Sequence, residues 1–172
     1  MPKYIFIVFL FFQISLLYGQ PGGNPYTARM TIVRGGYLEF AFNSMEKYEN
    51  GIVFNNYTEI AICFSDPDNP GATGTEWKLE FEANTSGANF DGTSSLPLSS
   101  LQLNFTGIAI ATYPGAAIPL SNAPSIAISD GKQGTEAVNV VYITYECGTE
   151  TPLIGTTSGR NSIDIIFTLS AE

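Results

Sequence analysis

A chain of 172 residues with 7 Lys and Arg against 16 Asp and Glu carries a formal net charge of −9, which argues against nucleic acid or an anionic membrane surface as partner, since both are held by clustered positive charge. It contains no histidine, which removes Ser-His-acid and Cys-His nucleophiles, imidazole-bound zinc and the iron site built from two histidines and a carboxylate. No glycine-rich stretch is followed by Lys-Ser or Lys-Thr, and the paired carboxylates of a glycosidase cannot be singled out among so many acids, so the chain reads as non-catalytic.

The first segment, Tyr4 to Leu17, follows Lys3, is interrupted only by Gln13 and Ser15, and gives way to Gly19, Gln20, Pro21 and Gly22. Its apolar run of about 14 residues is shorter than the roughly 20 that span a bilayer, and the layout is that of a secretory signal peptide. Residues 1–20 are therefore expected to be a leader cleaved near Gly19 or Gln20. Residues 21–172 are expected to form one secreted domain without membrane insertion. Cleavage would remove Lys3 and leave the remainder more acidic still.

Beyond the leader the dominant period is two. Tyr26 to Val33 alternates, with Met30 and Ile32 on one face, and Leu38, Phe40 and Phe42 repeat the pattern. Ser44 to Asn50 is the one segment expected to form a helical turn, with Ser44 as cap and Gly51 as stop. Ile60, Ile62 and Phe64 follow as a half-buried strand. Trp77, Leu79, Phe81 and Ala83 then alternate with Glu76, Lys78, Glu80 and Glu82, giving an apolar face and a charged one, as in an antiparallel sheet with one wet side. Ala137 to Cys147 carries β-branched and aromatic residues on both faces and predicts a central strand covered on both sides. Ile163, Ile165, Phe167 and Leu169 close the series. Gly and Pro, 17 and 10 in number, fall mostly between these runs. The pattern predicts an all-β fold, a single antiparallel β-sandwich of immunoglobulin-like or jelly-roll-like kind with very little helix.

Three features could carry function. Cys63 and Cys147, in an oxidising compartment, are expected to pair as a disulfide, with two unpaired thiols as the alternative. Asp66, Asp68 and Asn69 offer hard oxygen donors suited to calcium, although Pro67 and Pro70 interrupt any loop pattern and the same string is ordinary turn chemistry. The alternating terminal segments, through Tyr26, Met30, Ile32, Ile163, Ile165, Phe167 and Leu169, could pair within their own sheet or add to the open edge of a neighbour.

Trp77-Lys78-Leu79, followed by Phe90, Leu96, Leu98, Leu101 and Leu103, resembles the first signature of WxL-type surface domains, and Phe167-Thr168-Leu169 resembles the second with Phe in place of Trp. The layout is also similar to pilin-like secreted β-sandwich proteins of bacteria. Either resemblance implies a non-catalytic protein of the cell surface. The expected function is accordingly an adhesion or fibre-type structural or protein-interaction module whose partner is a protein or glycan at the cell surface, or the chain itself. The alternative is an extracellular carbohydrate-binding module using Tyr37, Tyr48, Tyr57 and Tyr113 as exposed rings.

Overall fold

The computed structural model describes residues 6–12, 27–68, 75–92, 95–108, 111–156 and 159–172. In chain order these form β1 (Phe6–Phe12), β2 (Thr27–Arg34), β3 (Tyr37–Phe40), α1 (Met45–Asn50), β4 (Ile52–Ser65), β5 (Trp77–Ala83) and β6 (Asp91–Gly92). A 3-10 turn (Leu98–Ser100) leads into β7 (Leu101–Thr106), β8 (Ile118–Pro119), β9 (Ser125–Gly131), β10 (Val140–Cys147) and β11 (Asn161–Ala171).

Two sheets pack face to face as a β-sandwich. One runs β3-β1-β11-β5-β9, with the short β6 pairing β11 ahead of β5; the other runs β2-β4-β10-β7-β8. All pairings are antiparallel but one, that of β1 with β11. The two-residue period decides which side chains meet. In β5 and β11 every second residue is buried, and the register sets Leu79 beside Leu169, Phe81 beside Phe167 and Ala83 beside Ile165. In the facing sheet Ile143 stands beside Phe105 and Tyr145 beside Leu103. The sheets meet where the Phe105 ring lies 5.2 Å from Phe81 and 6.4 Å from Phe167, tilted and edge-on as aromatic quadrupoles prefer. A second contact joins Phe40 of β3 to Phe54 of β4 at 5.2 Å.

Trp77 is fully buried, as its place in the alternation predicts, and its Nε1–H donates to the Lys132 carbonyl at 2.8 Å. Gly131 makes room for it: a Cβ there would lie 2.3 Å from the indole ring. The predicted helical turn is present. The Ser44 hydroxyl accepts from the Lys47 N–H, and Gly51, at φ 74°, returns its own N–H to the Lys47 carbonyl. Strand β10 is central, as expected, but only one of its faces is buried; the outer face is half-exposed, with the Arg34 guanidinium 6.0 Å from the centre of the Tyr142 ring.

Candidate functional site

Residues 6–12, which fall within the expected leader, form β1 in the structure, set between β3 and β11. Against β11 the register runs parallel from Phe6 beside Asn161 to Phe12 beside Phe167. Against β3 it runs antiparallel, with Phe6 beside Phe40 and Val8 beside Leu38. Positions 6, 8, 10 and 12 therefore stand in register with Asn161, Ile163, Ile165 and Phe167, all buried, while 7, 9 and 11 stand beside half-exposed residues. Neighbouring strands lie about 4.8 Å apart, so β3 and β11 are separated by about 10 Å, the width of one strand. Among the described residues, β1 is the strand that pairs with β3. Across the sandwich β3 is also held to β4, through the Tyr57 hydroxyl on the Tyr37 carbonyl and the Phe40–Phe54 ring contact.

Three of the four outer edges of the sandwich, β2, β8 and β9, are guarded. On β2, Arg29 pairs with Glu136 at 3.0 Å and Arg34 with Glu59 at 2.9 Å. Strand β8 is two residues long and ends in Pro119. Strand β9 pairs β5 irregularly, turns at Asp130 (φ 56°) and is bridged at Ser129 by Thr112. Charges, proline, shortness and irregularity are the devices that keep a sheet edge from accepting a stray strand.

The terminal-strand residues fall into two groups. Met30 is buried and Ile32 half-buried on β2, an edge strand; Tyr26 lies outside the described residues. Ile163, Ile165, Phe167 and Leu169 are all buried on β11, which is interior to its sheet, with β1 on one side and β5 and β6 on the other.

The expected disulfide is corrected. Cys63 and Cys147 are both free thiols, the first half-buried and the second buried. Cys63 on β4 stands opposite Arg29, whereas Cys147 on β10 stands opposite Ile52, at the far end of the same strand. The intervening length of β4 is roughly 35 Å of strand, far beyond what a disulfide can bridge. Burial pushes the Cys147 thiol up to about 12, which makes it a small apolar side chain rather than a nucleophile.

The Asp66 loop is held by its own hydrogen bonds. Asp66 is buried; its Oδ1 accepts from the Asp68 N–H at 3.0 Å, its Oδ2 accepts from the Thr75 hydroxyl at 2.5 Å, and its own N–H donates to Gln133 Oε1 at 2.8 Å. This is an Asx turn closed by a hydroxyl. Asp68 is exposed, and Asn69 lies outside the described residues. A different trio brings carboxylate oxygens within 4.8 Å of one another: Glu76, Asp130 and Glu172. Glu76 is engaged by Lys132, and Glu172 accepts from the Asp130 N–H at 2.9 Å. The group ties Glu172 to the ends of β5 and β9, and its members, scattered along the chain, share no motif that the sequence could have shown.

Of the four tyrosines, Tyr37 is exposed and Tyr48, Tyr57 and Tyr113 are half-buried. Tyr57 donates to the Tyr37 carbonyl at 2.7 Å, Tyr113 accepts from the Ile108 N–H at 2.6 Å, and the Tyr48 ring packs on Phe42. The rings brace loops and strand ends. Comparison with protein-family models and with curated proteins found no match.

Proposed function

We propose that this chain is an exported, non-catalytic β-sandwich that works at the cell surface as an adhesion or fibre-type structural module, joining other proteins through a sheet edge. The single observation that carries the reading is β1: a segment with the composition and position of a secretory leader completes the sheet. Removing a leader from a sheet leaves main-chain donors and acceptors in search of a partner, and that is a way of making an interaction module rather than an active site. The WxL-like and pilin-like resemblances point the same way. The carbohydrate-binding alternative retains Tyr37 as its one exposed ring among the four candidates.

The test is to express the full chain in a secreting bacterial host, fractionate the cells and determine the N-terminus of the product by intact mass. The expected product lies outside the cytoplasmic membrane and begins near Gln20 or Pro21. A cytosolic product that retains Met1 would overturn the proposal.

A further inference from the structure

We draw no further inference here: the strongest candidate, the cluster of Glu76, Asp130 and Glu172 carboxylates where the ends of β5, β9 and β11 meet, is an acidic group already engaged by Lys132 and the Asp130 N–H, and nothing else among the described residues points to a ligand there.

Discussion

Thr58 and Tyr145 show how one buried hydroxyl can hold two strands and a turn. Both residues are fully buried. The Thr58 hydroxyl has one proton, and it goes to the Gly35 carbonyl at 2.7 Å. The 3.0 Å contact with the Tyr145 oxygen must then be donated by the phenol. Burial raises that phenol's pKa well above its ordinary value, so the O–H remains a donor throughout the accessible pH range. The asymmetry of the chain of bonds fixes the cost of breaking it. Tyr145→Phe removes the outer donor and leaves Thr58 bonded to Gly35, which should cost about 1 kcal/mol. Thr58→Val preserves shape but strands both the Tyr145 hydroxyl and the Gly35 carbonyl, and should cost about 2–3 kcal/mol. Urea unfolding of the two variants and the double variant checks this. The double variant should be no less stable than Thr58→Val alone, and a larger loss would refute the assigned direction of the bonds.

Strand β11 is the element on which the sheet depends, and its outer face holds a charge in an unfavourable place. The Asp164 carboxyl lies above its ordinary 3.8, raised first by partial desolvation and second by Asp91 on the neighbouring β6. A carboxyl with a raised folded-state pKa adds stability only below its unfolded value and loses that contribution as pH rises through the folded value. Asp164→Asn should therefore raise the thermal midpoint at neutral pH, with the gain shrinking as the pH falls toward 3.8; an equal gain at both ends would argue against the charge as cause. This element was legible in advance because Ile163, Ile165, Phe167 and Leu169 alternate without a break, as do the apolar residues of β5, and the cap and stop of α1 were equally plain. The position of β11 in the sheet was not legible. Its partner β1 is a continuous apolar run, and such a run has no period to reveal a strand. Its pairing joins segments more than 150 residues apart in parallel, for which local sequence has no signature. Strands β6 and β8, two residues each, are too short to show any period. The outer face of β10 was misread for a different reason: β-branched residues favour a pleated surface whether or not a second layer covers it.

At the scale of the whole molecule, acidity decides how the surface behaves. Among the described residues, four ion pairs join basic residues to Glu136, Glu59, Glu80 and Glu76, and in each both side chains retain contact with solvent. Pairs of that kind contribute about 0–1 kcal/mol apiece. Against them stands a net charge of −9 spread over a small body, whose self-repulsion opposes the compact state. The range of that repulsion is set by salt, falling to about 10 Å at 0.1 M. If repulsion outweighs the ion pairs, adding sodium chloride to a dilute buffer should raise the thermal midpoint and then level off once the surface charges no longer sense one another. A midpoint that falls on the same addition would mean that the four pairs dominate.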